Sequence, residues 1–223
     1  MAGGVSGPPP SGDLGAFCAR VARFDPATLI RLSAGAVWAR LPFDVLVTRP
    51  IAAPLVPEPA RAGDPGPAAS VPGQAAPAPV AVVDVTYRAD ELLAHLSGTA
   101  GPPPGRDAEW RGALPRAVGR TLEEIPAGEL RRIADAAAST LRVAPPTLGE
   151  RRVRDALLEH VAIAVATDDG ESAEIPLRLV LGLTRMGFLG EAPVPVRRSG
   201  GWTGLVGEYG AAWYRPALSF RTI

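Results

Sequence analysis

Between Ala53 and Pro79 the chain holds eight prolines and eight alanines, few charges and no apolar periodicity. A segment of that composition buries too little apolar surface to offset its ordering entropy, so the fold has to form around it. It reads as a flexible linker over 53–79. Ser97 to Gly105, with Pro102, Pro103 and Pro104 in a row, is a second and shorter loop. Residues 1–12, rich in Gly and Pro, read as a disordered N-terminal tail. The rest, 13–223, is expected to form a single domain.

The pieces flanking the linker carry structural patterns. Asp13 can cap a helix to about Phe24 that places Leu14, Phe17, Cys18 and Val21 on one face. Ala36 to Leu41, Asp44 to Ile51 and Val80 to Tyr87 read as strands, and Asp90 to Leu96 as a short helix. The N-terminal piece is too small to stand alone, so the strands on either side of the linker are expected to share one sheet. Further on, Leu130, Ile133, Ala134, Ala137 and Leu141 follow helical spacing over 126–142. Thr147 and Glu150 form a capping box for a helix to His160. Val161 to Ala166 is β-branched, Asp168-Asp169-Gly170 is a turn, and a helix over 176–186 stops at Gly187. Val194 to Arg197 and Trp202 to Val206 flank Ser199-Gly200-Gly201 as a hairpin. The expected fold class is therefore α+β: a small sheet, several packed helices and a C-terminal hairpin, interrupted by a Pro/Ala-rich disordered insertion.

Composition excludes several chemistries. All 23 basic residues are arginine, with no lysine and no asparagine anywhere. Schiff-base chemistry and a P-loop lysine are thus ruled out. Heavy use of Ala, Gly, Pro and Arg points to a high-GC bacterial genome. Acidic and basic residues balance at 23 each, which argues against a strong global attraction to polyanions or membrane surfaces. One cysteine and two histidines do not make a structural zinc site, and no cofactor motif is present. The N-terminus lacks the apolar core of a signal peptide and no run is long enough to span a bilayer. A cytoplasmic location is the expectation.

One segment carries a resemblance. Leu183-Thr184-Arg185-Met186-Gly187-Phe188-Leu189 resembles the end of the recognition helix in winged helix-turn-helix regulators, followed here by a hairpin at 194–206. The resemblance implies DNA binding, with Arg185 on the helix and Arg197 and Arg198 in the wing. A strand within 161–175 followed by a buried 176–186 helix would exclude it. The acids Asp168, Asp169, Glu171 and Glu174 and the nearly all-apolar helix already weigh on that side.

Other candidate features have plainer readings. Gly201, Gly204, Gly207 and Gly210 alternate with Trp202, Tyr209, Trp213 and Tyr214, which suits a twisted hairpin with aromatics on the core better than a phosphate loop. Glu123 and Glu124 look like the acids before a helix start. Arg106, Trp110 and Arg111 lie in the densest mixture of charge and aromatic in the chain, and such residues favour binding hot spots. The leading expectation is a non-catalytic binding or regulatory protein with a protein partner, using Arg106, Trp110, Arg111, Arg185, Arg197, Arg198, Trp202 and Trp213. DNA is the alternative partner. A third reading, an enzyme clamping an anionic ligand, requires several of Arg111, Arg131, Arg152 and Arg178 to converge.

Overall fold

The computed structural model describes residues 10–51, 84–116, 119–143 and 149–216. The linker expected at 53–79, most of the N-terminal tail and the Thr147 cap lie outside them. The fold is α+β. Its frame is one antiparallel sheet of eight strands, with helices packed on one face.

The first half of the chain supplies helix α1 (Pro10–Ala22), strands β1 (Leu29–Ser33), β2 (Ala36–Arg40), β3 (Leu46–Pro50) and β4 (Val85–Arg88), and helix α2 (Ala89–Leu96). A 3-10 turn, Asp107–Glu109, follows. The second half supplies β5 (Arg120–Ile125), α3 (Ala127–Val143), α4 (Glu150–Glu159), β6 (Val161–Ala166), β7 (Ser172–Pro176), α5 (Leu177–Arg185), β8 (Val194–Ser199), β9 (Trp202–Gly207) and β10 (Gly210–Tyr214). The large sheet runs β4-β1-β2-β3-β10-β9-β8-β5, and β6-β7 form a separate hairpin. β3 and β4, on either side of residues 52–83, do share one sheet. The two halves are joined where β3 pairs with β10, with Leu46 opposite Trp213, Val47 opposite Ala212 and Thr48 opposite Ala211.

Alternation along these strands gives the sheet two different faces. Val37, Ala39, Val47, Ala212, Leu205 and Val196 point toward the helices and join the main core with Phe17, Leu130, Leu179 and Leu183. Trp38, Leu46, Trp202, Val206, Ala211 and Trp213 point the other way. α1 presents Leu14, Phe17, Cys18 and Val21 to the core as its spacing predicts. It begins at Pro10, however, so Asp13 lies in its first turn and accepts a hydrogen bond from Arg49 (3.0 Å) instead of capping the helix.

Four strands were not evident from pattern: β1, β5, β7 and β10. Their presence extends the sheet and corrects two readings. Glu123 and Glu124 do not precede a helix; they are exposed residues of the edge strand β5, where charge deters pairing with other chains. The winged-helix reading is excluded. The β6-β7 hairpin stands between α4 and α5, seven consecutive residues of α5 from Leu177 to Leu183 are buried, and the β8-β9 hairpin is an interior part of the sheet. An all-round apolar helix is a core helix, and here it supports the β3–β10 seam from beneath. Other turn readings hold: Gly170, Gly187 and Gly200 adopt positive φ at the turn, cap and hairpin positions expected of them.

The opposite edge is closed differently. The Thr86 backbone N–H donates to Asp107 Oδ1 (2.6 Å) and the Arg106 N–H donates to the Thr86 carbonyl (2.8 Å), so the 3-10 segment covers the free side of β4. No helix among the described residues is long and apolar enough to cross a membrane.

Two measurements test this packing. A Cβ on Gly182 would sit 2.7 Å from Val45 Cγ1, so Gly182→Val should destabilise the fold by about 1–3 kcal/mol in chemical denaturation through overpacking of α5 on the sheet. Cys18 is fully buried, and burial pushes its thiol up to about 12. The native protein should therefore resist thiol reagents at mildly alkaline pH, where the denatured chain reacts at once.

Candidate functional site

The site begins with Arg178, the second residue of α5, which is only 7 % exposed. A cation at a helix N-terminus opposes the helix dipole, so its charge has to be compensated by other elements. Its Nε donates to the Leu158 carbonyl (3.2 Å) and Nη1 to the Phe43 carbonyl (3.2 Å), while Nη2 bonds Glu159 Oε1. Asp44 Oδ2 lies 4.0 Å away and the guanidinium stands 5.0 Å from the Tyr214 ring centroid. One buried side chain thus ties the end of α4, the β2–β3 turn, β10 and α5 together. The β2–β3 turn is itself tight: Asp44 takes a positive φ of 61°, a conformation that Asp tolerates better than most residues.

These elements frame a cavity of about 540 Å³ where the two halves of the chain meet. Phe24, Pro42, Phe43 and Asp44 come from the first half; Arg151, Arg154, Asp155, Leu158, Glu159, Arg178 and Arg185 come from the second. Behind it an apolar recess is lined by Ala137, Leu141, Leu157, Leu177 and Leu181, sharing Phe43, Leu158, Arg154 and Arg185 with the cavity. The charges are unequal. Arg151 and Arg154 both lean on Asp155, at 3.8 and 4.0 Å, and Glu159 is held by Arg178. Arg185 is exposed on the rim and has no ion pair among the described residues. Chemically this is a largely polar cavity, with four arginines and three acids in its walls, opening onto a small apolar recess. No group of three or more His, Cys, Asp or Glu able to hold a metal occurs among the described residues.

The structure disperses the residues singled out in the sequence into three places. Arg185 lines the cavity. Trp110, Trp202 and Trp213 come together with Trp38 on the outer face of the sheet, so every tryptophan of the chain lies in one cluster. Trp202 and Trp213 are 7 % and 5 % exposed, and the Trp213 ring occupies the space that a Gly204 side chain would need. Arg111, exposed, borders the same cluster beside Trp110. Arg197 lies on this face opposite Gly204, half-buried. Arg198 instead turns to the β6-β7 hairpin and donates to the Ser172 carbonyl, 3.9 Å from Glu171. Arg106 pairs with Glu91 (2.6 Å) and Glu109 (3.0 Å), which hold the 3-10 segment in place; the same bond to Arg106 keeps the Glu91 carboxyl below its usual range.

The arginine clamp expected of an anion-binding enzyme does not form. Arg131 bonds the Gly190 carbonyl and Glu191, Arg152 is exposed on α4, Arg111 is on the outer face and Arg178 is buried in the cavity wall. The arginines that do meet are Arg151, Arg154, Arg178 and Arg185. Arg151 and Asp155 form an i, i+4 pair on α4, and the position of Phe43 and α5 makes this helix face a wall of the cavity.

Residues 5–112 match a family model described as a domain of unknown function (DUF8010), and residues 114–219 match another, also a domain of unknown function (DUF8185). The boundary between the two falls in the Trp110–Arg116 segment. No curated protein matches the chain. Among solved structures, the DNA polymerase III subunit beta of Pseudomonas aeruginosa is similar with a TM-score of 0.51 and 11 % identity, over 95 % of this chain and 64 % of that one. A DNA polymerase sliding clamp from Pseudomonas aeruginosa, solved with ligand, is similar with a TM-score of 0.50, again at 11 % identity and over 95 % and 64 % of the two chains. At that identity the likeness is one of fold. The chain spans just under two thirds of the length of these proteins.

Arg178 and its partners separate by mutation. Arg178→Leu leaves two half-buried carbonyls without donors and should destabilise by about 1–3 kcal/mol. Glu159→Gln, changing a largely exposed carboxylate, should cost under about 1 kcal/mol. Equal losses for the two variants in urea denaturation would show that the carbonyl contacts do not hold the cavity wall.

Proposed function

We propose that this protein is a single α+β binding unit of the cytoplasm, which works by holding a protein partner and not by catalysis. The partner's segment would lay a large apolar side chain in the cavity against Phe43 and Leu158, at the mouth of the recess of Leu141, Leu157 and Leu181, and set an adjacent carboxylate against Arg185 and Arg154. The observation that carries this reading is the cavity itself: a polar opening at the junction of the two halves with an apolar recess beside it, and a rim arginine that has no ion pair among the described residues. Buried apolar anchors beside charged rims are how compact interfaces gain affinity and orientation. The fold supports the same reading, since it is similar to that of a polymerase subunit and of a sliding clamp.

The test is selection of displayed peptides on the purified protein, with the Arg185→Glu variant as counter-selection. Enriched peptides should carry a large apolar residue next to Asp or Glu. A synthetic copy should bind the variant at least about tenfold more weakly, or about 1.4 kcal/mol. Peptides that bind both proteins equally, or saturable turnover of a defined small-molecule substrate, would sink the proposal.

A further inference from the structure

A second surface lies on the other face of the sheet and shares only Pro42 with the junction cavity. Beside the tryptophan cluster lies a cleft of about 250 Å³ whose walls include Trp110, Arg40 and Arg111. Of the cleft's two acids, Glu109 is paired with Arg106 at 3.0 Å, while Asp25 Oδ1 accepts only the Ala27 N–H at 2.9 Å. Arg40 and Arg111 are exposed and have no ion pair among the described residues. Among the lining charges two arginines and one acid, Asp25, are thus left without an ion pair among the described residues, in a chain that is neutral as a whole.

The ring in this cleft is held in advance of any ligand. Trp110 is half-buried against the cluster, its Nε1 donates to the Gly112 carbonyl (3.2 Å), and the Arg31 guanidinium stands 5.8 Å from its ring centroid. Arg31 is fixed in turn by two bonds to Asp84, at 2.7 and 2.8 Å. The Arg40 guanidinium lies against Gly112, one side of the same short segment. A ring fixed in advance and two uncommitted cations thus share one cleft, and only the exposed arginines have side-chain freedom to lose on binding. The face also holds buried groups that lack a hydrogen-bond partner among the described residues: Trp38 Nε1, Trp213 Nε1 and Arg197 Nε, all donors.

We propose that the outer face binds single-stranded nucleic acid, with a base stacked on Trp110 and the flanking phosphates on Arg40 and Arg111. Stacking on an aromatic side chain combined with arginine contacts to the backbone is a sequence-tolerant way to hold a single strand. An acidic peptide would satisfy the arginines but would leave the ring without a planar partner, so the nucleic acid is the better match to both features. The surface is independent of the junction cavity, and the loss of either function would leave the other in place.

The chain supplies its own reporter, because all four tryptophans lie on this face. Titrating the full chain with an oligothymidylate of about 20 nucleotides should quench tryptophan emission saturably. The affinity should fall roughly five- to twentyfold between about 50 and 200 mM salt, as expected for two or three neutralised phosphates. Arg40→Ala with Arg111→Ala, both at exposed positions, should weaken binding about tenfold or more and flatten the salt dependence. Trp110→Ala should weaken it about tenfold, and Trp110→Phe should retain most of it. Arg185→Glu should leave it unchanged. The proposal is overturned if no saturable quenching occurs at low salt, if the oligonucleotide binds without altering tryptophan emission, or if the double arginine variant binds like the parent. Equal quenching by an oligoglutamate peptide would overturn the nucleic-acid assignment in favour of an acidic protein segment.

Discussion

A buried guanidinium at the start of α5 sets the terms for the rest of the structure. Placed at the positive end of a helix and largely cut off from water, the charge of Arg178 is tolerable only where carbonyls, a carboxylate and an aromatic ring converge on it. Those groups come from α4, the β2–β3 turn and β10, elements far apart in sequence. Their convergence orients α5, and α5 in turn lies against Val45 so closely that only Gly182 fits at the contact. The register of β3 on β10 and the position of α4 follow from the same arrangement. A cavity between the halves is the space left where these elements meet around a polar anchor that cannot be replaced by simple packing.

The sheet has two faces with different chemistry because its strands alternate without interruption across the β3–β10 seam. On the helix side the seam residues Val47 and Ala212 are small enough to let α5 approach; on the outer side Leu46 and Trp213 fill the surface with a large ring. The junction cavity and the outer cleft are neighbours through the sheet, and Pro42, at the β2–β3 turn, lines both. A single turn therefore borders a polar cavity with an apolar recess on one side and a tryptophan–arginine cleft on the other. The segment where the two family-matched regions meet runs over the outer face, so the connection between the halves is also the element that presents Trp110.

Much of the secondary structure was legible because it obeys local rules. α1, α3 and α5 show helical spacing, and the β6-β7 and β8-β9 turns carry their glycines at the positions that need positive φ. The strands that escaped notice did so for separate physical reasons. β5, Arg-Thr-Leu-Glu-Glu-Ile, is an edge strand whose exposed positions are charged, so it imitates the acidic start of a helix. β10, Gly-Ala-Ala-Trp-Tyr, is central and buried on both faces, so it lacks alternation. β7 ends in proline, and β1 is only five residues long. The site was less legible than the fold. Trp110, Trp202 and Trp213 were singled out for type alone and do meet, but Arg154 and Arg178 gained their place only from the packing of α4 and α5 on the β2–β3 turn.

By itself the sequence determined the α+β class, the interruption of the sheet by a Pro/Ala-rich stretch, the buried face of each amphipathic helix and the absence of lysine chemistry. These follow from composition and from periodicities of two and 3.6 residues, which act over one element at a time. The tertiary structure alone decided that the sheet continues through both halves, that a core arginine anchors α5, that four tryptophans share one face, and which arginines lack an ionic partner among the described residues. Each of these depends on contacts between residues tens to more than a hundred positions apart, such as Arg178 with Phe43. No local pattern records such a contact, because its energy exists only once the separate elements have been brought together.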